Sequence, residues 1–222
     1  VLIYPEEYQK KIKQLCKKYD ILFILDEIAT GFGRLGNIIE YINQESIPDI
    51  VCFGKSLTGG YFPLALTLAS KNIYQEFEGK YVENKHLHHG HTFSGNPVGC
   101  AAAIENISLY KKNKLLDRIK KNSILINKRL IEFEKFSISA NIRCKGMLGG
   151  IDLVKEKKPI KFIMKIPLNY YVMKESMKKG VLLRSLGNTM LIIPPLAIEK
   201  ESLDKIIDTY YEIVKNIESG IR

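Results

Sequence analysis

The sequence predicts an α/β fold built around a mostly parallel β-sheet. Three continuous apolar segments support this prediction: ILFIL at 21–25, DIVCFGK at 49–55 and LALTLAS at 64–70. Because the apolar residues are successive and not alternate, the segments are typical of strands that a parallel sheet buries on both faces. Segments with helical periodicity precede and follow them.

The remaining elements are predicted from periodicity and from helix start signals. A helix is predicted over 5–19, with Pro5 near its start, as is common in a first helical turn. Two further helices are predicted over 96–110 and 115–133, and a domain boundary is placed near residue 110. The last third is predicted to mix the short strands LGGIDLV, GVLLR and MLIIPP with helices over 168–179 and 199–217.

Composition narrows the class of protein. Hydrophobic residues make up 45% of the 222 residues and charged residues 26%, which is ordinary for a soluble globular protein. No apolar run approaches the roughly 18–20 residues that span a bilayer, and the first residues do not resemble a signal peptide. We therefore expect a cytoplasmic protein without a membrane segment. The four cysteines lack pairing spacings, which favours reduced thiols.

The net charge of +10 is a lysine excess spread over predicted helix faces and loops. A basic domain can bind nucleic acid, but such domains carry a recognition module or a basic stripe interleaved with aromatic residues. Neither occurs in this sequence, so no nucleic-acid partner is expected.

Asp26 and Lys55 stand at the carboxyl ends of the first two predicted strands, at the sheet edge where ligands usually bind. Taken singly, each has an ordinary interpretation, the aspartate as a helix cap and the lysine as a solvent-facing side chain. Together they are the minimum set for pyridoxal-phosphate chemistry. The lysine can bind the aldehyde covalently and shuttle a proton, and the carboxylate can keep the ring nitrogen protonated.

Three ordered segments carry a family resemblance: DEIATGFGRLG at 26–36, FGKSLTGGYFPLALTLAS at 53–70 and HGHTFSGNPVGCAAA at 89–103. They resemble the successive signature blocks of the class III, fold-type I pyridoxal-phosphate aminotransferases, and GVLLRSLGNTMLIIPPL fits too. The resemblance implies that 1–110 is the C-terminal part of the large, mostly parallel sheet domain. It also implies that 111–222 is the small C-terminal α+β domain. It covers the whole chain but only the C-terminal half of a full family member.

The resemblance assigns cofactor roles to four positions. Asp26 resembles the aspartate that pairs with the pyridine nitrogen, and Ile28 the apolar residue packed near the ring. Lys55 resembles the lysine that carries pyridoxal phosphate and acts catalytically as the proton shuttle. Thr92 resembles the threonine whose hydroxyl binds the cofactor phosphate in the neighbouring subunit's site, which implies a homodimer with shared active sites.

Substrate roles fall on two further positions. Arg184 resembles the arginine that holds the substrate carboxylate, a task suited to a planar two-pronged donor, and Gly90 is assigned to substrate binding. Within the family, the blocks most resemble members that convert 8-amino-7-oxononanoate to 7,8-diaminononanoate in biotin biosynthesis. The amino donor stays open between S-adenosylmethionine and lysine, because Leu191 stands where some of these members have a tyrosine.

The segment HLHHGHTFSGNP at 86–97 holds all four histidines of the chain. Four imidazoles so close together suggest a metal site, but one short segment offers no distant ligand to complete a coordination shell. We therefore expect no metal. The family resemblance implies an active-site loop instead, with Asn96-Pro97 starting a helix whose amino end favours anions. His91 is expected near a phosphate, and His86 and His88 on the surface.

Other interpretations stay open. The protein could be another class III omega-aminotransferase that differs only in substrate, or a non-catalytic fragment or assembly module that keeps the fold. Because the N-terminal half of a family member supplies strands of the same sheet and part of the phosphate site, we expect the isolated 222 residues to be poorly soluble or partly folded, with negligible transamination.

Overall fold

The computed structural model describes residues 1–43 and 46–221, and these form two units. The N-terminal unit is Tyr4–Lys114, and the C-terminal unit is Leu115–Arg222 together with Val1–Ile3. No helix in the described part of the chain is long and apolar enough to cross a membrane.

The N-terminal unit contains four α-helices and three strands among its described residues. The helix predicted over 5–19 begins at Tyr8, whose backbone N–H donates to the carbonyl of Pro5 at 3.0 Å. The elements are α1 Tyr8–Lys18, β1 Ile24–Asp26, α2 Glu40–Asn43, β2 Ile50–Phe53, a 3-10 turn Lys55–Thr58, β3 Leu66–Ala69, α3 Lys71–Gln75, a 3-10 turn Tyr81–Glu83 and α4 Pro97–Lys112.

The strands form one sheet in the order β1-β2-β3. β1 and β2 are parallel, as predicted, with Asp26 opposite Cys52. The prediction of a third parallel strand is wrong, because β3 runs antiparallel to β2 with Ile50 opposite Ala69. A parallel neighbour requires a crossover, usually through a helix. Here the chain instead reverses through the 3-10 turn and through Gly59 and Gly60, whose φ values are +63° and +85°.

In this chain the three strands are not buried on both faces. In β2 burial alternates, with Val51 and Phe53 buried and their neighbours only partly covered. β1 and β3 are the edge strands, and Ile24 and Leu68 are 56% and 46% exposed. A continuous apolar segment therefore marks a strand in this chain, but not its burial.

Aromatic packing fixes α4 against the loop that follows β1. The rings of Phe32 and Phe53 meet edge to face with centroids 5.5 Å apart. The hydroxyl of Tyr110, on α4, donates to the carbonyl of Phe32 at 2.7 Å. Phe32 itself has φ +54°, and its N–H donates to Ile38 at 2.7 Å, so the loop after Asp26 folds back on itself.

The C-terminal unit is an antiparallel sheet packed with helices. The predicted helices over 115–133, 168–179 and 199–217 are confirmed within a few residues at their ends, and the strands predicted in LGGIDLV and MLIIPP are confirmed as β5 and β10. The elements are α5 Leu115–Ile131, a 3-10 turn Glu132–Lys135, β4 Ser139–Lys145, β5 Leu148–Lys155, β6 Lys158–Pro159, β7 Phe162–Ile163, β8 Ile166–Pro167, α6 Leu168–Met177, β9 Ser185–Leu186, β10 Thr189–Ile192 and α7 Lys200–Ile221.

The main sheet of this unit has the order β4-β5-β10-β9, with β6 paired to β5. The strand predicted in GVLLR is wrong: residues 181–184 form no strand, and β9 begins at Ser185. Ser176 accounts for this local structure, because its carbonyl accepts from Val181 N–H at 3.1 Å and its hydroxyl accepts from Leu183 N–H at 3.1 Å. These contacts take up backbone donors that a strand would use for pairing.

Candidate active site

Asp26 ends β1 at the sheet edge of the N-terminal unit. Its Oδ1 accepts a hydrogen bond from the backbone N–H of Ile28 at 2.9 Å, which turns the chain away from the strand. The side chain is exposed, and Oδ2 has no hydrogen-bond partner among the described residues. The next α-helix begins only at Glu40, so Asp26 is not a helix cap.

Lys55 lies at the same edge of the sheet, just after the adjacent strand β2. It follows β2 directly after Gly54 and begins the 3-10 turn in which Leu57 N–H donates to the Gly54 carbonyl at 2.9 Å. Its φ is +42°, a left-handed conformation that is uncommon for a residue other than glycine. The side chain is exposed, and the ammonium makes no hydrogen bond or ion pair with any residue that the structure describes.

A surface cavity of about 660 Å³ opens beside Lys55. Gly54 is buried within its wall, and a β-carbon there would lie 3.2 Å from Ile28 Cγ2, so a larger residue would crowd the isoleucine. The walls are mainly apolar. The lining residues are Ile28, Gly54, Lys55, Gly60, Phe62, Pro63, Leu64 and Ala65.

Glu27, next to Asp26, points into the protein. It is 2% exposed, and its Oε2 accepts from the Thr30 hydroxyl at 2.7 Å. Burial raises the pKa of Glu27 above 4.5; the Thr30 hydrogen bond opposes this rise and the nearby Glu40 carboxylate adds to it. Of the two adjacent acids, Asp26 is therefore the one available to a ligand at the sheet edge.

The histidine segment forms an exposed loop before α4. The rings of His86 and His88 have centroids 4.1 Å apart, and Tyr81 stacks on His86 at 6.4 Å. Farther along, the Nδ1 of His91 accepts from Phe93 N–H at 3.3 Å, and His89 Nδ1 lies 3.2 Å from the hydroxyl of Ser94. Within 1–43 and 46–221, no group of three or more His, Cys, Asp or Glu side chains could hold a metal ion.

The prediction that a helix starts at Asn96-Pro97 is confirmed. Asn96 is the N-cap of α4, and its Oδ1 accepts from the N–H groups of Val98 and Gly99 at 2.9 and 3.2 Å. Thr92 and Gly90 lie in the exposed loop before this cap. The Thr92 hydroxyl has no hydrogen-bond partner in the described part of the chain, and a β-carbon at Gly90 would meet no atom within 4 Å.

Arg184 lies in the C-terminal unit, between α6 and β9, and its side chain is exposed. It lines a largely apolar cavity of about 570 Å³. The hydroxyl of Tyr210, on α7, lies 3.0 Å from the Arg184 carbonyl and 2.6 Å from the Leu191 carbonyl, and donates to both. The other lining residues are Met173, Leu182, Leu183, Leu191, Ile193, Pro194, Pro195, Ile206 and Tyr210.

The structure thus brings three of the predicted site residues together, Asp26, Ile28 and Lys55, at one edge of the N-terminal sheet. Sequence reasoning did not identify Tyr210 or Asn106, whose side chains hold the backbone at Arg184 and just after Lys55. No motif marks either one, because each acts on a backbone carbonyl distant in sequence.

Comparison with known proteins identifies the class. The family model for class-III aminotransferases matches residues 1–214, and the chain belongs to this family. The adenosylmethionine-8-amino-7-oxononanoate aminotransferase of Methanocaldococcus jannaschii is 37% identical over 96% of this chain and 47% of its own length. The enzyme of the same name from Aquifex aeolicus is 38% identical over 100% of this chain and 49% of its own length.

The fold agrees with these sequence matches. The crystal structure of the M. jannaschii enzyme superposes with a TM-score of 0.90 at 37% identity, covering 97% of this chain and 50% of that one. The predicted fold class, fold-type I α/β, is therefore confirmed. The chain spans about half the length of the curated relatives that it matches.

Proposed function

We propose that the protein carrying this chain transfers an amino group to 8-amino-7-oxononanoate, giving 7,8-diaminononanoate in biotin biosynthesis, with pyridoxal phosphate as cofactor. The observation that carries the chemistry is the position of Asp26 and Lys55, at the carboxyl ends of adjacent parallel strands, with Lys55 facing a cavity. The names of the curated relatives support the choice of substrate.

The residues present fit this cofactor. A pyridine ring needs apolar walls on its faces, and Ile28, Phe62 and Leu64 provide such walls in the cavity beside Lys55. Its basic nitrogen needs an anionic partner, and Asp26 Oδ2 is free of described partners at the same sheet edge. When bound, pyridoxal phosphate supplies an electron sink for the carbon that gains or loses the amino group.

Each of these side chains has a role that follows from its position. The Lys55 amine, exposed and without an ionic partner among the described residues, can hold the cofactor through its aldehyde and then move a proton to or from the substrate carbon. Asp26 keeps a proton on the ring nitrogen, because a nearby carboxylate favours the charged form of a basic group. Ile28, which lines the cavity, would pack against the ring and limit the access of water.

Arg184 and Gly90 are the proposed substrate contacts. The Arg184 guanidinium, which makes no ion pair with any described residue, can bind the carboxylate of the keto acid through two parallel hydrogen bonds. The apolar lining of the cavity at Arg184 suits an aliphatic chain that ends in a carboxylate. Gly90 lacks a side chain and lets a ligand approach the backbone closely.

The proposed assembly rests on the role of Thr92. Its hydroxyl is exposed and without a described partner, as required of a group that binds the cofactor phosphate in the site of a neighbouring subunit. We therefore propose a homodimer with shared active sites. In this proposal residues 1–110 are part of the large cofactor-binding domain, and 111–222 are the small C-terminal domain.

The test is an assay of the full protein with pyridoxal phosphate, 8-amino-7-oxononanoate and either S-adenosylmethionine or lysine as donor. We expect 7,8-diaminononanoate to form with one of the two donors, and that donor then becomes the assigned one. Transamination of other amines and keto acids, with no turnover of 8-amino-7-oxononanoate, would support another class III omega-aminotransferase. A protein that binds the cofactor but transaminates no substrate would favour the non-catalytic alternative.

A further inference from the structure

The backbone at Lys55 adopts a conformation that needs support. Its φ of +42° is left-handed, and residues other than glycine keep such a conformation only where the surrounding structure holds them in it. Before Lys55, Gly54 is fully extended, with φ −171° and ψ −154°. The residues that fix the turn after Lys55 therefore determine where its amine points.

One side chain from outside the 3-10 turn makes hydrogen bonds to the backbone of the turn. The Nδ2 of Asn106, in the middle of α4, donates to the carbonyl of Ser56 at 2.8 Å and to that of Leu57 at 3.1 Å. A primary amide has two N–H donors, so one side chain can serve both carbonyls at once. These carbonyls belong to the two residues that follow Lys55, so they set the direction of the chain leaving it.

Asn106 is itself held on a fixed support. Asn96 caps the amino end of α4. Near the other end of the helix, the Tyr110 hydroxyl donates a hydrogen bond to the carbonyl of Phe32 at 2.7 Å. Gly59 closes the turn on the other side. Its φ is +63°, and a β-carbon there would lie 3.0 Å from Asn106 Oδ1. Glycine at this position thus leaves the space that the amide occupies.

We propose that Asn106 is the positioning residue of Lys55: it locks the 3-10 turn so that the Lys55 amine is held toward the cavity at the sheet edge. Asn106 is not among the residues that line this cavity, so it acts through the backbone of Ser56 and Leu57. The inference rests on the proposed function, because positioning matters only if Lys55 carries the cofactor.

The test compares three variants of the full protein. Asn106→Leu removes both donors and keeps the number and branching of the side-chain heavy atoms. Asn106→Asp keeps the shape but presents an acceptor to two carbonyls. The matched control is Asn122→Leu, because Asn122 also donates its amide from a helix to a distant carbonyl, that of Ile198 at 3.0 Å, within the C-terminal unit. Each Asn106 variant loses two part-buried hydrogen bonds to backbone carbonyls, and Asn122→Leu loses one.

Two readouts separate positioning from stability. The first is the dissociation constant of pyridoxal phosphate, measured from its visible absorbance, and the second is the pH midpoint of that absorbance. We expect both Asn106 variants to bind the cofactor about tenfold more weakly, because only part of the population keeps Lys55 in place. The pH midpoint should shift as the Lys55 amine moves relative to Asp26. Asn122→Leu should lower the melting temperature but leave both readouts unchanged.

Asn106 variants with wild-type affinity and pH midpoint, or with the same changes as Asn122→Leu, would overturn the inference. If Asn106→Leu does not fold, the inference is tested with Asn106→Asp and Gly59→Ala instead. A β-carbon at Gly59 would push against the Asn106 amide, so Gly59→Ala should also weaken cofactor binding and shift the pH midpoint. A wild-type protein that does not bind the cofactor through Lys55 would refute the proposed function itself. Asn106 variants with unchanged cofactor affinity and pH midpoint would refute only the positioning role of Asn106.

Discussion

Replacing Tyr210 with phenylalanine tests whether one hydroxyl fixes the backbone at Arg184. β9 and β10 pair Ser185 with Met190, and the same register would next place Arg184 opposite Leu191. The pairing of β9 with β10 stops before this pair, and the Tyr210 hydroxyl donates to the carbonyls of both residues, at 3.0 and 2.6 Å. The hydroxyl therefore closes the end of the ladder beside the cavity at Arg184.

The expected loss of stability follows from burial. Tyr210 is 1% exposed, and burial raises the pKa of its phenol, so the hydroxyl keeps its proton and remains a donor at neutral pH. Its removal deprives two carbonyls of this donor, which costs about 1–3 kcal/mol. In Tyr210→Phe the backbone at Arg184 is held less firmly. If Arg184 binds the substrate carboxylate, KM for the keto acid should therefore rise by about threefold to tenfold, which corresponds to roughly 1 kcal/mol.

The assay combines urea denaturation with steady-state kinetics of the full protein. The urea midpoint should fall with an unchanged slope, because the folded surface is the same, and kcat should change less than KM. The control is Tyr211→Phe: the Tyr211 ring packs on Phe133 and Phe136 with centroids 5.5 and 5.0 Å away, but its hydroxyl has no hydrogen-bond partner in the described part of the chain. Equal behaviour of the two variants would refute the role of the Tyr210 hydroxyl.

Three further predictions concern charged groups. Asp26→Asn should leave the cofactor bound but lower transamination by orders of magnitude, because an amide does not hold a proton on the ring nitrogen; near-normal turnover would remove Asp26 from the mechanism. Arg184→Lys should weaken binding of the keto acid by about 2–5 kcal/mol and leave cofactor affinity unchanged, since a bidentate contact is lost; an equal loss of both affinities would indicate a structural arginine. Glu27 has its pKa raised above 4.5 in the folded state, so its contribution to stability is full below about pH 4.5 and is lost as the pH rises through the folded pKa. Over that window the free energy of unfolding of the wild-type protein should fall relative to that of Glu27→Gln, and parallel curves would show that Glu27 ionises freely in the folded protein.

The sequence was sufficient to predict the elements that hold Asp26 and Lys55. A polar residue directly after an apolar segment marks a strand end, and adjacent parallel strands place such ends at one edge, as β1 and β2 do. Long periodic segments such as α5 and α7 were also predictable, because side-chain periodicity reports the helix face directly.

Other features depend on contacts between distant residues, which a local pattern does not encode. The direction of β3 follows from the turn through Gly59 and Gly60, and residues 181–184 form no strand because Ser176 takes up their backbone donors. β4 was missed because its residues, SANIRCK, show neither a continuous apolar run nor strict alternation. Asn106 acts on carbonyls 49 and 50 residues away, so only the folded chain reveals its contact.

The proposed role of Lys55 as the cofactor-bearing lysine is tested most directly by mapping which lysine carries pyridoxal phosphate. The full protein would be incubated with the cofactor, reduced with borohydride to fix the cofactor covalently, digested and mapped by mass spectrometry, with Lys55→Ala as the control. We expect the added mass to lie on the peptide containing Lys55, and we expect the variant to retain no visible absorbance from covalently bound cofactor. Labelling of a different lysine, with Lys55→Ala labelled as strongly as the wild-type protein, would contradict the assignment of Lys55.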